Sequence, residues 1–156
     1  MFLTQYERPI TYNGREYTKD ITKITQDYDG INTLDDLFEK LLDAWCKETA
    51  YPTCQTEYDL YDDPTCGQCA ITATLVHDIF GGEIYKIYLE GGGTHYFNKI
   101  NGNYIDLTSD QFTQFNVPLE YEPNEKVPRE YCGKNENTMK RFNLLTKKLK
   151  ENLNQN

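Results

Sequence analysis

The residues of this chain whose types and spacing can do chemistry are few. Cys66-Gly67-Gln68-Cys69 precedes an apolar run, His95 follows Gly91-Gly92-Gly93-Thr94, and Asp106 lies just beyond an Asn101-Gly102 turn. The C-x-x-C has three readings. It is a redox dithiol, half of a metal site, or a catalytic cysteine with a glutamine beside it. The elements around these residues decide among them.

Residues 68–80 read as a helix stopped by Gly81-Gly82, which puts Cys69 at its first turn. Unpaired amides and the helix dipole there favour a thiolate. Ala73, Val76 and Phe80 continue the same face and anchor it. Taken alone, Cys69 reads equally as a small buried hydrophobe. His77 lies about 12 Å up the same helix and cannot reach the sulfur. Ile84 to Leu89 and Thr94 to Ile100 read as strands. Asn101-Gly102 is a two-residue hairpin signal, so residues 103–107 form a third, antiparallel strand. Paired positions across that turn place Asp106 opposite Phe97 and His95 opposite Thr108. His95 and Asp106 are then diagonal neighbours on one sheet face, about 7–8 Å or less apart at Cβ. Tyr96, Ile100, Ile105 and Leu107 fill the other face, so His95 and Asp106 are expected on the non-core side. A nucleophile, a base and an orienting acid follow in the chain order Cys69, His95, Asp106. Gln68 and Gln55 are the side-chain candidates for the oxyanion or substrate, beside the Cys69 amide.

The other two readings fit less well. A thioredoxin-type dithiol follows a buried strand, whereas Asp59 to Thr65 is an acidic loop, and the dithiol leaves His95 and Asp106 idle. Val117-Pro118 is the one segment that could stand opposite such a dithiol. A zinc site would need Cys54 and one of Cys46, Cys132 or His95, without a second C-x-x-C or a paired histidine motif. No metal and no cofactor is expected. Cys66 remains a candidate redox partner for Cys69.

The rest of the chain supplies the frame. Its 156 residues read as one domain, able to bury roughly 70% of the unfolded-chain surface. A core of residues 31–112 is followed by an irregular segment and a C-terminal amphipathic helix over residues 113–156. Thr33 or Asn32 caps a helix with Leu34, Leu37, Phe38, Leu41, Leu42 and Trp45 on one stripe. A small hairpin is expected at Tyr12-Asn13-Gly14-Arg15, and residues 113–135 carry Pro118, Pro123 and Pro128. The final helix, from about Glu136 to Leu149, presents Met139, Phe142, Leu145 and Leu149. Helices, a strand meander and a terminal helix make an α+β fold.

A net charge of -9 argues against nucleic acid as a partner. The basic residues cluster in the last helix, which can dock on the acidic body. No apolar run is long enough to span a membrane, and the first residues lack a signal peptide, so a cytoplasmic address is expected.

With these residues in hand, the chain resembles the bacterial YunG-like family over roughly residues 40–115. The resemblance is carried by Ala44-Trp45-Cys46-Lys47-Glu48-Thr49, by Asp63-Pro64-Thr65-Cys66-Gly67-Gln68-Cys69-Ala70-Ile71-Thr72-Ala73 and by Phe80-Gly81-Gly82-Glu83-Ile84. It continues through Thr94-His95-Tyr96-Phe97-Asn98 and Ile105-Asp106-Leu107-Thr108-Ser109-Asp110-Gln111-Phe112. It implies that Gly67-Gln68-Cys69-Ala70, His95 and Asp106 are the shared elements and that Cys66 is incidental. More distantly the pattern is similar to papain-like and transglutaminase-like cysteine enzymes, which implies a papain-like core. The expected activity is a cysteine-dependent hydrolase or acyltransferase acting on an amide, peptide or acyl substrate. The acids Glu57, Asp59, Asp62 and Asp63, with the Gly91–Gly93 turn, would border the cleft and favour a cationic or amine-bearing small molecule or peptide. A non-catalytic binding protein of the same fold and a C-x-x-C thiol-disulfide oxidoreductase are the alternatives.

Overall fold

The computed structural model describes residues 1–154 and is α+β. Strands β1 (Phe2–Leu3) and β2 (Pro9–Ile10) form a small hairpin. Helix α1 (Leu34–Ala44), the short helix α2 (Pro52–Gln55) and helix α3 (Cys69–Phe80) follow. Next come β3 (Glu83–Tyr88), β4 (Thr94–Ile100), β5 (Asn103–Ile105) and the short helix α4 (Asp110–Thr113). The chain ends with β6 (Glu125–Val127), α5 (Tyr131–Lys134) and α6 (Glu136–Asn154). The second sheet is antiparallel with strand order β5-β4-β3-β6.

Helix α3 is the centre of the molecule. Ile71, Leu75, Val76 and Ile79 are wholly buried along it. On one side they meet Leu34, Leu37, Phe38 and Leu41 of α1 and Phe142, Leu145 and Leu149 of α6. Each such aliphatic side chain contributes about 1.5–3 kcal/mol on burial. The other side of α3 lies on the sheet, where Ala73 packs with Ile84 and Val127 and Asn98 Nδ2 donates to the Ala73 carbonyl at 2.9 Å. Helix α1 starts where its capping residues dictate. Thr33 accepts from the Asp36 amide at 3.0 Å, and the Asp36 carboxylate accepts back from the Thr33 amide at 3.1 Å. The basic last helix docks through its apolar stripe.

The Asn101-Gly102 turn has positive φ at both residues, 52° and 82°, as a type I′ turn requires. It sets the expected register, with Ile100 opposite Asn103 and Asn98 opposite Ile105. Three expectations need correction. β5 ends at Ile105, and Asp106 leaves the ladder to pair with Asn13, whose carbonyl accepts its amide at 3.0 Å. The N-terminal hairpin is therefore at residues 2–10, while Asn13 runs beside Asp106. Gly14 fits there because a Cβ would strike the Tyr104 carbonyl. Finally, His95 and Asp106 are not on an open face; each is 1% exposed. The segment after β5, which reads as irregular, folds back over that face. Tyr121 packs on Phe97 with ring centroids 4.7 Å apart, and Phe112 lies edge-on to His95 at 4.8 Å.

Gly82 fixes the exit from α3 into the sheet that carries His95. Its φ is +73°, and an added Cβ would lie 2.7 Å from both Ile100 Cγ1 and the Lys99 carbonyl. Gly82→Ala should lower stability by about 1–3 kcal/mol. Urea unfolding checks this through a lower midpoint at unchanged slope.

Candidate functional site

Cys69 is the first residue of α3 and is half-buried. The turn before it is held from three directions. Gln68 is fully buried; its Oε1 accepts from Thr49 Oγ1 at 2.8 Å and its Nε2 donates to the Cys46 carbonyl at 3.0 Å. Trp45 Nε1 donates to Thr72 Oγ1 at 2.9 Å, tying the end of α1 to the first turn of α3. Gly67, at φ +73°, makes the bend and its carbonyl accepts from the Tyr51 amide at 2.9 Å. The first-turn amides of α3, including that of Cys69, have no intrahelical acceptors.

The sheet brings His95 to this helix start and Asp106 to His95. His95 Nε2 donates to Asp106 Oδ2 at 2.7 Å. Tyr121 Oη donates to the same oxygen at 2.9 Å. Asp106 Oδ1 accepts from the Thr108 amide at 3.1 Å and from Thr108 Oγ1 at 3.2 Å. These four donors fill the acceptor sites of a carboxylate. With Nε2 committed to Asp106, the other ring nitrogen is the one free to exchange a proton. His95 Nδ1 is buried and has no hydrogen-bond partner among the described residues. Cys69 lies close enough to act on the charge of the ring. Burial alone pulls the imidazolium down, but the Asp106 carboxylate, and behind it the Cys69 sulfur, outweigh that and carry the His95 pKa up to about 10.

Three contributors escaped the sequence reading. Thr108 was legible, because Asp106-Leu107-Thr108 has the spacing of an Asx turn, in which a side-chain oxygen accepts the amide two residues on. Tyr121 had no signal in a proline-rich stretch. Arg141 of α6 reads as one more tail cation, yet it is 3% exposed. Its partners are Asn137 Oδ1 at 2.8 Å, the Thr49 carbonyl at 3.3 Å and Thr138 Oγ1 at 3.4 Å, with the Tyr51 ring 5.6 Å away. Burial lowers its pKa, and Cys69 is foremost among the neighbouring thiols and phenols that offset this. Tyr131, stacked on Tyr96 at 4.9 Å, flanks the same sulfur.

Gln68 and Gln55 lie elsewhere than at a reaction centre. Gln68 is engaged with Cys46 and Thr49, and Gln55 Nε2 donates to the Ala50 carbonyl at 3.0 Å. Both glutamines brace the backbone that leads to Cys69. Cys66 faces Cys54 rather than Cys69, since Gly67 turns the two ends of the C-x-x-C apart. Among the described residues no cluster of three or more His, Cys, Asp or Glu side chains is arranged to hold a metal. His77 Nδ1 contacts the Gly82 carbonyl at 2.9 Å, at the far end of α3.

Two clefts flank the acidic loop. One of about 320 Å³ is lined by Glu57, Tyr58, Tyr61, Asp63, Cys66 and Phe115, on the Cys66 side. Another of about 470 Å³ lies between the loop and the end of α1, and none of Cys69, His95 or Asp106 lines it. The loop is pinned by Arg8, which makes a bidentate contact with Asp110 at 3.0 and 2.7 Å and donates to the Asp62 carbonyl at 2.7 Å. Burial raises the Asp63 pKa to about 6.

No helix is long and apolar enough to cross a membrane among the described residues, and no solved structure matches the chain. Over 59 residues it is 44% identical to the uncharacterised protein YunG of Bacillus subtilis (strain 168), a match covering 38% of this chain and 48% of that protein. It thus spans about half the length of that relative. The profile of the YunG protein family matches residues 33–154, from the cap of α1 to the end of α6, beyond the span that carries the motifs. The chain belongs to the YunG family.

Proposed function

We propose that this protein is a cysteine-dependent acyl-transfer enzyme, a hydrolase or acyltransferase of papain-like arrangement acting on an amide, peptide or acyl substrate. One observation carries the reading. A buried histidine is held at Nε2 by a fully saturated carboxylate while its Nδ1 is buried without a partner, beside a cysteine that opens a helix. A structural histidine would have both nitrogens satisfied, because an unmade hydrogen bond costs about 1–3 kcal/mol. A nitrogen left free on a ring whose charge a neighbouring sulfur influences is what proton exchange with a nucleophile needs.

The chemistry follows from the positions. The Cys69 thiolate attacks the substrate carbonyl carbon, with the imidazolium of His95 as counter-ion. First-turn amides of α3 donate to the developing oxyanion. His95 Nδ1–H protonates the leaving group as the tetrahedral adduct collapses to an acyl-cysteine. The neutral ring then takes a proton from water or from an amine, which attacks the thioester and releases Cys69. Asp106 keeps Nε2 protonated throughout. The preference for a cationic or amine-bearing substrate rests on the acidic loop, whose Glu57 and Asp63 line a cleft with Cys66 rather than with Cys69.

Residue-resolved alkylation with iodoacetamide tests this. Cys69 should react fast in the native protein, and about ten-fold more slowly in His95→Ala. Cys54 serves as the internal control, because its own pKa is lowered to about 6 by Cys66 and does not depend on His95. An unchanged Cys69 rate in His95→Ala, or equal labelling of all the cysteines, would remove the proposal. Tyr121→Phe deletes one donor to Asp106 and should slow Cys69 alkylation without altering Cys54, at a stability cost of about 1 kcal/mol.

Protonation of His95 also stabilises the fold. Unfolded, a histidine titrates near 6.5, whereas folded His95 titrates at about 10. Its contribution is therefore fully present below about 6.5 and is lost as pH rises through about 10. Urea midpoints of the native protein should fall across that window, and His95→Gln should flatten the decline. A parallel decline in both proteins would contradict the ion pair.

A further inference from the structure

The cysteines that the proposed reaction does not use are not randomly placed. Cys54 lies in α2 and Cys66 in the turn entering α3, and both are half-buried rather than sealed. The backbone stitches the two segments together. The Tyr51 amide donates to the Gly67 carbonyl at 2.9 Å, and the Cys54 amide donates to the Tyr51 carbonyl at 2.8 Å. Between them Gly67 leaves the space that a side chain would fill. A Cβ there would sit 2.8 Å from Cys54 Cβ and 3.1 Å from Cys54 Sγ. The missing side chain lets the Cys54 thiol lie against the turn that bears Cys66.

From this juxtaposition we infer that Cys54 and Cys66 are an oxidisable pair, a site of reversible disulfide formation that reacts with peroxides and closes the acidic loop 55–65. The inference does not rest on the role proposed for Cys69. The electrostatics of the pair supply an attacking and a resolving thiol. Interaction with the Cys66 S–H draws the Cys54 pKa down to about 6, against burial and the charges of Glu57 and Asp63. The same interaction, with burial, pushes the Cys66 thiol up. The pair therefore favours ionisation of one thiol, Cys54, with the proton held on Cys66.

The step balances with a hydroperoxide as oxidant. The Cys54 thiolate attacks the terminal peroxide oxygen. An S–O bond forms, the O–O bond breaks, and the departing oxyanion takes a proton from solvent. Cys66 then gives up its proton and attacks the Cys54 sulfenic sulfur. The S–S bond forms, the S–O bond breaks, and hydroxide leaves as water. Two thiols are oxidised by two electrons, and hydrogen peroxide is reduced to two waters. The bridge would lock the loop carrying Tyr58, Asp62 and Asp63 onto the entry to α3, one residue from the Gln68 brace. In a reducing compartment such a bond is transient, as a regulatory disulfide has to be.

The fully reduced protein is treated with a slight excess of hydrogen peroxide, blocked with N-ethylmaleimide and digested without reductant. Mass mapping should find the Cys54–Cys66 linkage about ten-fold above any other, with Cys69 mainly carrying maleimide and the linkage reversed by dithiothreitol. In Cys66→Ser, oxidation should stop at a Cys54 sulfenic acid that dimedone captures. A dominant Cys66–Cys69 linkage, or oxidation of Cys69 with Cys54 left reduced, overturns the inference. Mapping the native protein decides the matter even if the variant fails to fold. Because the readout is a linkage rather than turnover, it stands apart from the alkylation test of His95.

Discussion

The hydrogen bond between His95 and Asp106 is the interaction around which the rest of the structure is arranged. Two ionisable side chains, each 1% exposed, lie 2.7 Å apart in an aromatic setting. Removing either partner of such a pair costs about 3–5 kcal/mol, because the survivor is left as an uncompensated buried group. The pair is therefore tolerable only if every other bond of the carboxylate is made. That demand shapes its surroundings. Asp106 must leave the β4–β5 ladder so that its Oδ1 can turn to the Thr108 amide, and its own amide then needs the Asn13 carbonyl. Tyr121 must come back across the sheet to reach Oδ2, carrying the segment that covers His95. The N-terminal strand region, the turn after β5 and the proline-rich return are thus all fixed by one carboxylate.

The cysteine side of the site is built with the same economy but from different parts. Nothing in a helix start forces a first residue toward a histidine across a sheet. Gln68 does it, through a fully buried amide whose two ends lock onto Thr49 and the Cys46 carbonyl. Arg141 reaches the Thr49 carbonyl from α6, and Trp45 reaches Thr72 from the end of α1. Helix α1 directly, and α6 through Thr49, therefore brace the first turn of α3. Gln68 acts through position. Its amide is fully buried and bonded at both its oxygen and its nitrogen.

Local and periodic signals were legible in the sequence. The Thr33–Asp36 capping box, the α1 stripe, the glycine stop of α3 and the Asn101-Gly102 turn each depend on residues a few positions apart, and each appears where the pattern places it. The His95–Asp106 contact was legible for the same reason, since a two-residue turn converts register into distance. Its burial was not, because the covering residues Phe112 and Tyr121 belong to a segment without periodicity. Strand β6 was hidden likewise; three residues are too few for an alternation to register. The contact of Cys66 with Cys54 was hidden as well. Gly67 bends the chain there at φ +73°, and a long-range contact between loops leaves no mark on composition.

The charge distribution closes the account of why a cysteine here is chemically distinct. The chain is acidic, at -9 overall, yet two basic side chains, His95 and Arg141, lie near enough to interact with the Cys69 sulfur. His95 is kept protonated to about pH 10. Arg141 sits in the interior with amide, carbonyl and hydroxyl partners in place of a carboxylate. Neutral acceptors satisfy its N–H groups but leave its charge in a low-dielectric setting, where an uncompensated ion is costly. In the proposed reaction the anion that relieves it is the attacking sulfur, or the oxyanion that forms as it attacks. On the proposed reading the two cations therefore act at different stages. The imidazolium gives its proton to the leaving group and is neutral at that moment, whereas the guanidinium cannot deprotonate and keeps its field through the whole cycle. A site with His95 alone would lose its positive charge as the acyl-cysteine forms. With Arg141 buried behind it, the helix start stays electropositive for the second attack as well as the first.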